Sequence, residues 1–203
     1  MGLSENHGAF YNSPEEVAQM PESLRHGQLK NREVLPDVLK PGLKVVFCGT
    51  AVSTKSAEVG AYYAGPGNQF WEVLSRVGLT PRKLHFREFC ALPKYGIGLT
   101  DLVKARPGRD KAHSSSEFDV VGFCRKMKEH RPEIVAFNGK RAARAFFGRS
   151  VDYGGPQRDQ RLGEIVAFVL PSTSAAARRY WNQCHWERLV AYRQLAKATP
   201  EPR

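Results

Sequence analysis

Three apolar runs each end on a polar turn, and the residues at those turns have the types and spacing that suit chemistry. Residues 44–48 stop at Gly49, and the loop beyond carries Thr50, Ser53, Thr54 and Ser56 before Tyr62, Tyr63 and the turn Gly65-Pro66-Gly67-Asn68. Residues 133–137 hand directly to Asn138-Gly139-Lys140. Residues 164–170, closed by Pro171, hand to Ser172-Thr173-Ser174 and then to Arg178-Arg179. These groups are mostly amides and hydroxyls, with carboxylates sparse. Each can donate and accept a hydrogen bond, so the set suits a neutral heterocycle or a phosphate better than a hard cation.

Residues 49–56 imitate a phosphate-binding P-loop, a strand followed by a loop that ends in Lys55-Ser56. That template wants Gly immediately before the Lys, so that backbone amides can wrap the phosphates, and Thr54 stands there instead. The two later runs end in Asn and Pro, so neither offers an Asp to hold magnesium. Nucleotide hydrolysis is disfavoured. Cys48, Cys90, Cys124 and Cys184 stand apart with no C-x-x-C pair, which reads as reduced thiols and no metal centre.

Charge narrows the partner. Thirty-one Lys and Arg against twenty Asp and Glu leave +11 on 203 residues. An excess of that size points to a polyanion, and nucleic acid is the usual one. No stretch approaches the length of apolar chain that spans a bilayer, so a membrane partner is not expected. The first residues carry no apolar signal core, which leads to the expectation of a protein that is not secreted. It would then work in the cytoplasm or nucleoid, or in the nucleus of a eukaryote.

The elements that must position these turns alternate. Residues 1–34 are polar and weakly periodic, an N-terminal extension with a short helix near 14–19; a single domain is expected over 35–203. Strands are expected at 44–48, 133–137 and 164–170, with residues 97–103 a short strand or buried turn. Helices are expected at 70–78, 117–130 (capped by Ser115 or Ser116), 141–147 and 186–196. Residues 81–95 and 148–162 read as irregular connections. Strands alternating with helices make a three-layer α/β domain with a parallel sheet, whose ligands sit outside the carboxyl ends of the strands.

From Leu35 to Ala177 the chain resembles the mismatch-specific uracil/thymine-DNA glycosylases of the uracil-DNA glycosylase superfamily. Four pieces carry the likeness, in the family's order: residues 63–71 (YAGPGNQFW), 94–100 (KYGIGLT), 136–140 (AFNGK) and 170–175 (LPSTSA). The resemblance implies a central four-stranded parallel sheet flanked by helices. It implies hydrolysis of the N-glycosidic bond of a flipped-out base, leaving an abasic site, with no cofactor. The partner would be uracil-bearing DNA, single- or double-stranded, bound by a monomer. Tyr63 holds the family's stacking position, and Asn138 matches a uracil edge that carries both a carbonyl and an N–H. Backbone at Gly49, Thr50, Ala51 and Tyr63 would hold charge developing on the leaving base. Ser56, Lys140, Ser172, Ser174, Arg178 and Arg179 would meet the DNA backbone.

Two departures qualify the likeness. The family's first motif reads Gly-Ile-Asn-Pro-Gly, and its Asn positions the attacking water; this chain has Gly49-Thr50-Ala51-Val52-Ser53. Ala51 cannot hold water through its side chain. Asn68 is the first substitute and Ser53 the second, with Glu58 and Asp101 behind them. Where relatives place a Leu or Arg wedge, this chain has Ala176, too small to fill the space of an extruded base unless Arg178 or Arg179 reaches in. The expected activity is therefore a monofunctional uracil-DNA glycosylase of base excision repair. A non-catalytic or product-retaining binder of uracil or abasic DNA, and a hypoxanthine glycosylase, stand as alternatives.

Overall fold

The computed structural model describes residues 33–108 and 114–198, with side chains to residue 195. The expectations for residues 1–32, including the helix near 14–19, lie outside the described residues. The strands are β1 Val45–Ala51, β2 Ile97–Val103, β3 Ile134–Asn138, β4 Gly154–Gln157 and β5 Val166–Leu170. The helices are α1 Thr54–Val59, α2 Phe70–Arg76, α3 Val120–His130, α4 Lys140–Phe147 and α5 Cys184–Ala198. The sheet runs β2-β1-β3-β5-β4. Its first four strands are parallel, as expected; β4 pairs antiparallel with β5 at the edge.

The β-branched and aromatic runs make the sheet because they are buried on both faces, which is how parallel strands read. Alternation sorts them. Val45, Phe47, Ile97, Leu99, Ile134, Ala136 and Phe168 face α2 and α5, packing on Phe70, Trp71, Leu74 and Trp186. Val46, Cys48, Leu102, Val135, Phe137 and Val169 face α3 and α4, packing on Phe123, Met127 and Phe146. In the first layer Phe47 stacks on Trp186 at 5.3 Å and meets Phe70 edge-on at 5.3 Å. Such ring pairs contribute about 0.5–1.5 kcal/mol each beyond the area they bury.

Besides the short helix α1 inside the expected loop, three segments differ from their expected form. Residues 148–162 contain β4, whose Gly-Gly-Pro-Gln has no apolar alternation and joins the sheet by pairing with the open edge of β5. Residues 81–95 contain a 3₁₀ helix, Phe86–Tyr95, opened by a capping box in which Glu88 accepts from the His85 N–H. Helix α3 starts at Val120 under an Asp119 cap; Ser114 caps only a 3₁₀ turn before it, Ser115–Glu117.

Candidate base-binding site at the strand ends

The three turns singled out by their chemistry follow β1, β3 and β5, which are neighbours in the sheet and run the same way. Their carboxyl ends therefore meet. The β1–β3 ladder stops at the pair Cys48 and Phe137, while β1 continues to Ala51 paired only with β2. Past Cys48 the backbone of β1 on its β3 side borders a crevice rather than a strand. This is the position where open parallel sheets bind ligands.

Alternation decides which side chains meet in the crevice. Phe47 and Ala136 face the α2–α5 layer, so two residues on, Gly49 and Asn138 face that layer too, and so does Asp101, the register partner of Gly49. Gly49 matters for what it lacks. A Cβ there would stand 2.2 Å from Asp101 Oδ1 and 3.6 Å from the Tyr63 hydroxyl, so the missing side chain is what lets these two groups come together.

Tyr63 is the most constrained residue of the site. Its backbone sits at φ 54°, a left-handed conformation unusual for a bulky side chain. The ring stacks on Phe70 at 3.9 Å with 22° between planes. One π-face is thus occupied by the core. The hydroxyl is fully buried beside the Asn138 amide without a properly aligned hydrogen bond to it. Burial, and then the nearby Asp101 charge, push its pKa far above the usual phenol value, so it stays a neutral O–H.

The loop that holds Tyr63 is laced from within. Ser53 caps α1 by accepting from the Ser56 N–H, and the buried Ser56 hydroxyl accepts from the Ala64 N–H, pinning the residue after Tyr63. The Ser56 hydroxyl, expected to meet phosphate, is thus turned inward to the loop. Asn68 Oδ1 accepts from the Phe70 N–H and starts α2. Both residues expected to hold water, Asn68 and Ser53, thus spend an oxygen on a helix start. Lys55, which gave the P-loop its appearance, is exposed and pairs with Glu58 at 3.1 Å.

Asn138 is 8% exposed and clasps the third turn. Its Oδ1 accepts from the Thr173 N–H at 3.1 Å and its Nδ2 donates to Thr173 Oγ1 at 3.0 Å. One lone pair and one N–H of the amide are left over from that clasp. A second tie, Gln69 N–H to Thr173 C=O, joins the β5 turn to the Tyr63 loop.

The rim around the crevice is basic. Ser172 Oγ accepts from the Ser174 N–H, and Ser172 lies against Gly139, the uncapped start of α4. Arg178 is exposed and its guanidinium lies over Gly67 of the Tyr63 loop; Arg179 stacks on Tyr180 at 4.6 Å. Lys140 packs over the Tyr153 ring at 4.5 Å. Ala176 is exposed beside them. Trp181 packs against the core near Trp186 rather than joining the basic rim. Sequence reasoning gave no role to Thr173, whose partnership with Asn138 has no signal in spacing, or to Tyr153, and it ranked Asp101 low. Among the described residues no group of three or more His, Cys, Asp and Glu is placed to hold a metal ion.

The family model of the uracil DNA glycosylase superfamily matches residues 36–196. A candidate uracil DNA glycosylase of Methanosarcina acetivorans, solved by solution NMR, has a similar structure. It superposes with a TM-score of 0.54 at 23% identity, covering 80% of this chain and 96% of that one. At that identity the likeness concerns the fold.

Proposed function

The chain belongs to the uracil DNA glycosylase superfamily, and from that premise we propose that it is a monofunctional uracil-DNA glycosylase of base excision repair. It takes an extruded uracil from single- or double-stranded DNA and leaves an abasic site, working without a cofactor as a monomer beside the genome. The observation that carries this reading is the meeting of Gly49, Tyr63 and Asn138 on one sheet face at adjoining strand ends.

The chemistry asks three things of that crevice. The base must leave the duplex, since its glycosidic bond is inaccessible within the stack. Tyr63, already backed by Phe70, offers its remaining face to the base, and the spare donor and acceptor of Asn138 read the edge. Rigid support makes both useful, because a ring clamped at a left-handed backbone loses little freedom on binding.

As the C1′–N bond breaks, its electron pair moves onto the base. Of the backbone at Gly49, Thr50 and Ala51, beyond the end of the β1–β3 ladder, the N–H groups that alternate to the β3 side stabilise that anion in a water-poor site. Lys140, Ser172, Ser174, Arg178 and Arg179 hold phosphates on either side of the flipped nucleotide. With alanine at 176, extrusion depends on Arg178 or on sites already weakly stacked.

One observation favours the runner-up, a binder of uracil or abasic DNA that does not cut: Ala51 offers no side chain for water, and Asn68 and Ser53 each already spend a side-chain oxygen on a backbone N–H. Purified protein incubated with oligonucleotides bearing uracil, thymine or hypoxanthine, then treated with alkali, separates the readings. Cleavage at uracil supports the glycosylase. Intact strands in all three, with salt-sensitive binding, would replace it with the binder.

A further inference from the structure

The remaining chemical gap is the attacking water, and one group at the crevice, ranked low from the sequence, takes no part in the reading above. Asp101 is 5% exposed, at the carboxyl end of β2, in register with Gly49 and on the same sheet face. Its Oδ1 reaches across to β1, occupying the place a Gly49 side chain would take. A carboxylate at a strand end, on the sheet face that carries Gly49 and the stacked Tyr63, stands where the crevice places its reacting groups. The other acidic groups are placed differently: Glu58 is exposed on α1, and Asp37 bonds Thr100, the register partner of Cys48, which faces the opposite layer from Gly49.

We propose that Asp101 takes up from β2 the water-positioning part that the first-motif Asn would play on the β1 turn, and as a carboxylate adds to it: it orients the attacking water, accepts its proton and stabilises positive charge on the sugar. This rests on the glycosylase reading. The water oxygen forms the new C1′–O bond while the C1′–N bond breaks. The electron pair leaves with the base, the water proton passes to Asp101, and the base anion is then protonated, so one water is consumed. A carboxylate suits an oxocarbenium-like transition state because its charge opposes the one that develops. Gly49 is part of the same device, since any side chain there would displace the carboxylate.

The titratable groups around Asp101 are identifiable. Cys48 of β1 and Tyr62 and Tyr63 of the loop all feel its charge, and burial foremost raises all three, so they stay protonated through neutrality. Beyond Tyr62 lie Lys104, Lys126, Asp37 and Glu33, joined as ion pairs. An acid limb in the rate therefore belongs to Asp101 or to the ion-paired network around Asp37, and its loss in Asp101→Asn but not in Asp37→Asn assigns it.

Single-turnover release of uracil is measured against pH for the wild type, Asp101→Asn and Asp37→Asn, with the affinity for DNA bearing a stable abasic analogue. The proposal expects Asp101→Asn to lose on the order of 10²–10⁴ in rate while affinity changes by less than about threefold. It expects an acid limb, tenfold per pH unit, in the wild type and in Asp37→Asn and none in the residual rate of Asp101→Asn. A wild-type rate without that limb overturns the role, whether or not Asp101→Asn folds. So does an Asp101→Asn rate near wild type, or a fall in affinity that matches the fall in rate. Wild-type protein that releases no base overturns the glycosylase reading itself, and this role with it.

Discussion

Two buried polar clusters lie on either side of Tyr62, and they are built on opposite terms. Around Asp37 every charge is answered: its carboxylate accepts from Thr100 at 2.7 Å, Lys104 at 2.8 Å and Lys126 at 2.5 Å, and Lys104 also reaches the Leu35 carbonyl and the Tyr62 hydroxyl. At the Gly49 edge the Tyr63 hydroxyl is buried with no aligned partner, on a backbone held left-handed. A fully answered network fixes structure, and a partly answered one is tolerated where a ligand completes it. The first cluster locks the segment at residues 33–38 onto β2; the second is the crevice.

The comparison is broken most severely at Asp37. Asp37→Asn leaves the partly buried Lys104 and Lys126 with Glu33 as their remaining counter-charge and is expected to cost about 1.5–3 kcal/mol. A thermal melt should show it, while uracil release by the folded fraction is preserved. Next comes Gly49→Ala, whose Cβ collides with Asp101 Oδ1. Overpacking of this kind costs about 1–3 kcal/mol, and the rate of base release should fall even where the protein remains folded.

Acid sharpens the same contrast. Burial pushes the Asp37 carboxyl up, but the Lys104 charge and hydrogen bonds from Lys104, Lys126 and Thr100 outweigh it and leave the pKa below 3.8. A group whose pKa is lower folded than unfolded stabilises fully above its unfolded value. That contribution is lost as pH falls through the folded one. Denaturant midpoints of the wild type should therefore drop on acidification below about pH 4, more steeply than those of Asp37→Asn.

Smaller effects belong to the rim and to the unanswered hydroxyl. Arg178→Ala should weaken DNA binding at every sequence and reduce the salt slope by about 1, measured by fluorescence anisotropy against salt. Tyr63→Phe removes an O–H that has no aligned partner, so stability should move by no more than about 0.5 kcal/mol. The loss should appear in affinity for uracil-bearing DNA instead.

Much of this was legible in the chain, for reasons that also mark where legibility ends. The runs at 44–48, 133–137 and 164–170 are continuous and β-branched, and each became a parallel strand. Their turns could be placed together because parallel strands deliver their exits to one edge. Strand β4 was hidden because Gly-Gly-Pro-Gln has no side-chain pattern and exists only by pairing with β5. The short helix α1 was hidden inside a run of Ser and Thr, whose signal is that of a loop. At the site, Asn138 was legible at the exit of its run, and Tyr63 through the motif at 63–71 that carries the family resemblance. Asp101 was not: its burial follows from Gly49 on the neighbouring strand, and a pairing register is not written in spacing.

A crystal structure with free uracil, or with DNA carrying an abasic analogue, tests the central claim most directly. The account predicts the pyrimidine, or the extruded sugar, in the crevice between β1 and β3, with the Tyr63 ring on one side and the Asn138 amide at the base edge. Density for it elsewhere would contradict the account, for instance in the 420 Å³ cavity between the Tyr63–Asn68 loop and His85 and Phe86.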